Sequence, residues 1–327
     1  MSKKSCLPSL LALTGASTLG FSYYAYRRAF HVPKIHPADP DAPIEGEQYR
    51  AVEHLMKRAT QAIQKHKFEP VEITSRDGCR LFGRLYIQDE NAPMQIIFHG
   101  YRSCAFRDCC GGHALAWKMG CNTLLVDQRA HGESQGRAIT FGILERYDCL
   151  SWIDYVCARF GSHIPIILSG LSMGAATVLS VADLPLPENI KCIIADSPYD
   201  SPENIIRKVC RDENLPDKIA FPFITLGAKV FGRFNLNESS PAKALQKATV
   251  PVLLLHGEDD RFVPCEMSRK LQKICASPCT LVTFPGAGHG LAYMTDPEKY
   301  EIAVYQFLHS VPGIAESVKG IPIRSDT

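Results

Sequence analysis

Net charge is scarce in this sequence: 36 lysines and arginines stand against 34 aspartates and glutamates, leaving +2. A chain so balanced offers nucleic acid no basic field, and offers cationic partners no acidic one. What imbalance exists lies at the front, where Lys3, Lys4, Arg27 and Arg28 meet no acid in the first thirty residues. The remaining body therefore holds 32 bases against the 34 acids, or −2. Regular cysteine spacing is also missing. Thirteen cysteines scatter from Cys6 to Cys279, and an odd number cannot all pair, so they read as mostly reduced, buried thiols rather than a disulfide framework. Cys104, Cys109, Cys110 and Cys121 do cluster, but two of them are adjacent on an expected helix instead of forming a C-x-x-C knuckle. That favours core packing over zinc. There is no internal repeat and no low-complexity tract. With 46% hydrophobic and 21% charged residues, a disordered tail, a disulfide miniprotein and a collagen-like rod are excluded.

What is present falls into three parts. Residues 6–26 form an uncharged run of 21 residues, just long enough to cross a bilayer as a helix. Serine, threonine, glycine and a proline dilute it. A membrane anchor within residues 1–30 is the favoured expectation, with a cleaved signal peptide and a helix packed on the domain as rivals. Basic residues flank both ends, so charge does not orient it. Localisation is expected at a membrane through this segment, with a cytoplasmic or secreted chain as the alternative. Residues 31–46 carry Pro33, Pro37, Pro40 and Pro43 and read as an extended spacer. The folded domain is then 47–327, opening with an amphipathic helix over 49–67.

From residue 70 onward, apolar runs recur at 71–74, 81–87, 95–98, 122–126, 164–168, 191–195, 250–255 and 280–284. Asp77-Gly78 between the first two is a hairpin-turn dipeptide. Helix-length stretches such as 143–160 and 173–182 separate most of the others. Apolar strands alternating with helices predict an α/β fold with a mostly parallel sheet covered on both faces. Ligands on such sheets bind where the strands end, so chemistry is sought just after each run.

Directly after the run at 164–168 comes Ser169-Gly170-Leu171-Ser172-Met173-Gly174, followed by a helical segment. This is G-x-S-x-G between a strand and a helix, a sharp turn that lifts Ser172 above the sheet as a nucleophile. A serine hydroxyl needs a base. His99 and His256 precede glycines at strand ends and read as structural, and His131 as a brace within its loop. His289, in the Gly286-Ala287-Gly288-His289-Gly290 loop after the last strand, is assigned the base. An acid must orient it, and Asp196, Glu258, Asp259 and Asp260 all satisfy the order serine, acid, histidine. Spacing alone leaves these open. The oxyanion requires two donors: the backbone N–H of Met173 and that of Tyr101, which Gly100 allows to face the site. The Tyr101 ring is read as a wall of the pocket.

Taken in order, these motifs resemble the α/β-hydrolase family of serine hydrolases, over residues 71–308. They are the HGY turn at 99–101, the D-x-R-x-H-G-x-S loop at 127–134, and the G-x-S-x-G elbow at 170–174. The P-x-L-x-x-H-G-x-x-D-x-x-V-P segment at 251–264 and the G-x-G-H-G loop at 286–290 follow. The resemblance places the acid on Asp260, the fifth residue from the His256 of the HG pair, and leaves Asp259 and Glu258 as loop residues. Ala130 stands where many members have glycine. The sequence is similar to bacterial members with an N-terminal apolar segment, described as esterase-like or serine-aminopeptidase-like. Between residues 201 and 240 an apolar stretch is read as a small helical cap over an acyl pocket for short-to-medium chains. The implied activity is hydrolysis of small-molecule acyl esters with no metal or organic cofactor. A peptidase or aminopeptidase is the alternative, then a thioesterase or acyltransferase, and last an inactive binding scaffold.

Overall fold

The computed structural model describes residues 7–32 and 47–320. Eight strands form one sheet: β1 (Glu69–Thr74), β2 (Arg80–Tyr86), β3 (Met94–Phe98), β4 (Asn122–Asp127), β5 (Ile166–Leu171), β6 (Ile190–Asp196), β7 (Val252–Gly257) and β8 (Cys279–Phe284). Their spatial order is β1-β2-β4-β3-β5-β6-β7-β8. β2 pairs antiparallel with both β1 and β4, and every pairing from β4 across to β8 is parallel. β3, β4 and β7 are buried along their whole length, as expected of parallel strands covered on both faces. This is the α/β-hydrolase fold.

The chain moves outward from β3 to β4 and then returns to the far side of β3 to lay down β5. That reversal opens a crevice at the carboxyl ends of β3 and β5, the position at which an open α/β sheet binds its ligands. Helices pack both faces. Glu145–Phe160 buries Trp152, Ile153 and Val156 against the sheet on one side, and Pro297–Ser310 buries Phe307 and Leu308 on the other. The expected amphipathic helix at 49–67 is broken into Glu47–Arg50 and Glu53–Gln64.

The stretch at 201–240 forms two helices, Pro202–Asp212 and Asp217–Gly227, and a π-turn at Ala228–Gly232. Ser201 caps the first by accepting a hydrogen bond from Asn204 N at 3.1 Å, with Pro202 in its first turn. The second is apolar enough to be buried, and what covers it is the N-terminal helix Leu7–Ala29.

That contact corrects the expectation of a membrane anchor. Among the described residues no helix is long and apolar enough to cross a membrane. Ser, Thr, Gly and Tyr side chains dilute the run in Leu7–Ala29, and Arg27 and Arg28 occupy its last turn. Cys6, where the run begins, lies outside the described residues, as does most of the expected spacer, at 33–46. The C-terminal half of the helix is built into the domain. Ser22, Tyr26 and Phe30 are buried. A Cβ on Gly227 would overlap the Ser22 carbonyl oxygen and come within 3.1 Å of Tyr26 Cβ, so the two helices cross almost backbone to backbone. The Phe30 ring stands edge-on to Phe141 and Phe234, with centroids 5.7 and 5.1 Å away. Ile139 N donates to Phe30 O at 2.8 Å, Val32 N donates to Arg137 O at 3.0 Å, and His31 bridges Ala138.

A fully buried phenylalanine in such a socket is worth about 3–5 kcal/mol against alanine. Phe30→Ala is therefore expected to lower the urea midpoint of the whole domain, monitored by the fluorescence of Trp117 and Trp152. An unchanged midpoint would mean that the helix hangs free of the fold.

Candidate active site

β5 runs into a turn that no ordinary strand end could make. Ser172 adopts φ 55° and ψ −112°, a conformation that side chains rarely tolerate and that costs about 1–3 kcal/mol. The turn is possible because its neighbours have no Cβ. One on Gly174 would overlap the Phe98 carbonyl and lie 2.7 Å from the His99 oxygen, and one on Gly170 would overlap Gly174. Ser172 N donates to Asp196 O at 2.8 Å, tying the turn to β6, and the helix Met173–Leu179 starts at once.

Ser172 Oγ lies 2.9 Å from His289 Nε2, and His289 Nδ1 lies 2.7 Å from Asp260 Oδ2. A carboxylate can only accept, so Nδ1 carries the proton and donates to Asp260. The Nε2 lone pair then faces the serine hydroxyl, which donates to it. All three side chains are buried. Asp260 Oδ1 accepts from the Phe262 and Val263 amides at 2.9 and 2.7 Å. Burial alone would favour its neutral form. Hydrogen bonds from His256 and His289, the His289 charge and the Val263 amide outweigh this and hold the carboxyl well below its ordinary value.

The rival acids lie elsewhere. Glu258 accepts from Thr283 Oγ1 at 2.6 Å and is exposed, as is Asp259. Asp196 is buried behind the turn, accepting from Ser197 Oγ at 2.8 Å and from Tyr300 Oη at 3.1 Å, and its carboxyl is pushed up by that burial. His99 is fully buried and accepts from Gln128 N at 3.1 Å.

Sequence reasoning missed Gln48 and Tyr49, and read His256 only as a structural residue at a strand end. His256 donates from Nε2 to Val263 O at 2.8 Å and lies 3.2 Å from Asp260 Oδ2, so it helps fix the acid. Gln48 Oε1 accepts from His289 N at 3.3 Å, and Tyr49 donates its hydroxyl to His289 O at 3.2 Å. Those two residues stand some 240 positions from the loop they brace, and no local pattern marks them.

The loop after β3 leaves one amide for the site. Gly100 N donates to Asp108 Oδ2 at 2.8 Å, and Arg102 N donates to His131 Nε2 at 3.0 Å. Tyr101 N, between these two tethered amides, has no hydrogen-bond partner among the described residues. Met173 N opens a helix and likewise lacks a partner one turn back. The Tyr101 hydroxyl is occupied, donating to Ala29 O at 2.9 Å, while its ring leans on Phe141. His131 can accept from Arg102 only while neutral, because its Nδ1 donates to Arg129 O at 2.9 Å. Burial and the neighbouring His99 push its pKa down to about 3, so it stays neutral across the working range. Ala130, where glycine is common, does adopt a left-handed φ of 62°.

Above Ser172 lies an apolar cavity of about 640 Å³, well inside the range that takes a drug-sized organic molecule. Ile205, Ile206, Val209, Phe223 and Ile224 of the cap line it. Phe221 does not: it is buried under the Arg207 guanidinium, 4.1 Å from the ring centroid. Among the described residues no group of His, Cys, Asp and Glu could hold a metal ion, and the twelve described cysteines are unpaired.

Residues 96–303 match the model of a family described as the alpha/beta hydrolase family. The chain is 26% identical over 233 residues to the uncharacterized protein YfhR of Escherichia coli strain K12, covering 68% of this chain and 73% of the relative. It is 26% identical over 194 residues to the uncharacterized protein YqkD of Bacillus subtilis, covering 59% of this chain and 64% of that one. Among solved structures it is similar to the Pyrococcus furiosus esterase Pf2001, with a TM-score of 0.63, 21% identity and coverage of 85% and 98% of the two chains. It is also similar to Est1E from Butyrivibrio proteoclasticus with ferulic acid bound, with a TM-score of 0.55, 23% identity and coverage of 72% and 97%. At those identities the structures speak for the fold alone.

The tether on Arg102 generates a prediction. His131→Ala frees that amide and lets the Tyr101 N–H drift; if that N–H receives the oxyanion, as the sequence predicts, kcat should fall roughly tenfold with KM little changed. A rise in KM at constant kcat, measured on a soluble chromogenic ester, would contradict the assignment.

Proposed function

The chain belongs to the alpha/beta hydrolase family, and on that premise we propose that it is a serine hydrolase that cleaves acyl esters through an acyl-enzyme intermediate. One observation carries the reading: a serine at a strained strand–helix turn, an imidazole 2.9 Å away and a carboxylate 2.7 Å beyond it, beneath an apolar cavity. Ser172 Oγ attacks the substrate carbonyl carbon as His289 Nε2 takes its proton. Asp260 holds the imidazole in the required tautomer and stabilises the imidazolium. The carbonyl oxygen, now negative, is received by the Tyr101 and Met173 amides. Collapse breaks the ester C–O bond, and His289 returns the proton to the departing alkoxide. Water then repeats the sequence on the acyl-serine, releasing the acid and restoring the hydroxyl.

An apolar acyl site favours esters over peptides, whose flanking amides would have to give up their hydration there. A peptidase, thioesterase or acyltransferase would use the same serine, and a substrate panel of matched ester, amide and thioester separates them. A binding scaffold would have no use for a buried three-membered relay.

Turnover of p-nitrophenyl esters by the wild type, and its loss in Ser172→Ala, tests the nucleophile. Asp260→Asn should lower kcat by roughly three to four orders of magnitude, because an amide permits the wrong imidazole tautomer. Asp196→Asn should cost far less. The depressed Asp260 pKa also fixes the shape of the pH profile. That group stays ionised below the ordinary carboxylate range, so the acid limb of kcat/KM should carry no contribution from Asp260. A crippled Asp196 variant beside an active Asp260 variant would overturn the roles.

A further inference from the structure

The N-terminal helix Leu7–Ala29 does more than cover the cap. Phe21, Tyr24, Ala25, Arg28 and Ala29 line the same cavity that contains Ser172, together with the cap helices. Their spacing of three, four, seven and eight residues is that of one helix face. The adjoining face, Ser22 and Tyr26, is the one locked against Gly227. Docking therefore fixes which side chains meet the cavity. The end of the helix is also tied to the loop that presents Tyr101 N: Tyr101 Oη donates to Ala29 O at 2.9 Å, and Arg102 Nη2 donates to Arg28 O at 3.0 Å.

Resting on the esterase reading above, we propose that this helix is the specificity wall of the acyl pocket. Phe21, Tyr24 and Ala25 contact the acyl chain, and the preferred substrates are esters of medium-length apolar acids, not acetyl esters. Size and chemistry both point there. An acetyl group would leave most of a cavity of about 640 Å³ unfilled. The inner lining is apolar, and the charged groups, Arg28, Arg102 and Glu213, are all exposed. Ala25 is the smallest of the three wall residues and leaves the room that a chain fills. Phe21, its ring tilted against that of Phe223 with centroids 6.0 Å apart, and Tyr24 are largely exposed and form the rim. Each methylene that enters should raise kcat/KM about fourfold until the wall is met.

The test uses the full-length chain and p-nitrophenyl acetate, butyrate, octanoate and laurate. Wild type should prefer octanoate to acetate by at least tenfold in kcat/KM. Ala25→Leu, which fills the pocket, should lower the octanoate-to-acetate ratio by tenfold or more. Phe21→Ala opens the rim without touching the core and should shift the optimum toward laurate. Leu19→Ala, on an exposed part of the same helix outside the cavity lining, should keep the wild-type ratio. Identical chain-length profiles for wild type, Ala25→Leu and Phe21→Ala would overturn the proposal while leaving a working esterase. No turnover of any ester by the wild type would instead overturn the reading on which it rests.

Discussion

The turn at Ser172 is the constraint on which the rest of the site depends. β5 must end beside β3 closely enough for Gly174 to pass over the Phe98 carbonyl, and this leaves no room for a Cβ at 170 or 174. Only then does the serine point out of the sheet with an unpaired amide following it. The cost of its left-handed backbone is met by a hydrogen bond to β6 and by the buried helix Met173–Leu179. Every other group is positioned relative to that fixed point. β7 delivers Asp260 and His256, β8 delivers His289, and the β3 loop brings Tyr101 N across the top. Such a site is preorganised: its dipoles are set by sheet register before any substrate arrives.

The fold was largely legible because its strands are short apolar runs, three of them buried along their whole length. All eight apolar runs correspond to strands, with ends displaced by at most three residues. The largest displacement is at β5, which continues through Ser169, Gly170 and Leu171, residues that composition alone would assign to a turn. Ser172 and His289 could be singled out because each sits among glycines directly after an apolar run. Asp260 could not be chosen by spacing among three consecutive acids, and the resemblance had to choose. The physical discriminator is which carboxylate receives the Phe262 and Val263 amides, and that is a property of the folded loop. Gln48 and Tyr49 act through contacts between distant segments, which leave no trace in a local pattern.

The N-terminal helix shows how an apolar run can be read correctly as a helix and wrongly as to what it contacts. Hydropathy reports that a surface will be covered, not whether lipid or protein covers it. Residues in and just beyond the run dock it: Ser22 lies against the Gly227 backbone, Tyr26 fills the space beside it, and Phe30 plugs the base. Placed there, the helix joins the cap to the loop after β3 through Ala29 and Arg28. The same segment shares a cavity with Ser172.

The central claim is that Ser172 is an activated nucleophile. A fluorophosphonate forms a bond to such a serine and displaces fluoride, so digestion and mass spectrometry of the treated full-length chain test the claim directly. The account predicts one stoichiometric adduct, on the peptide containing Ser172, that does not form when His289 is replaced by alanine. An unreactive wild-type chain, or an adduct on another residue that persists in the His289 variant, would contradict it.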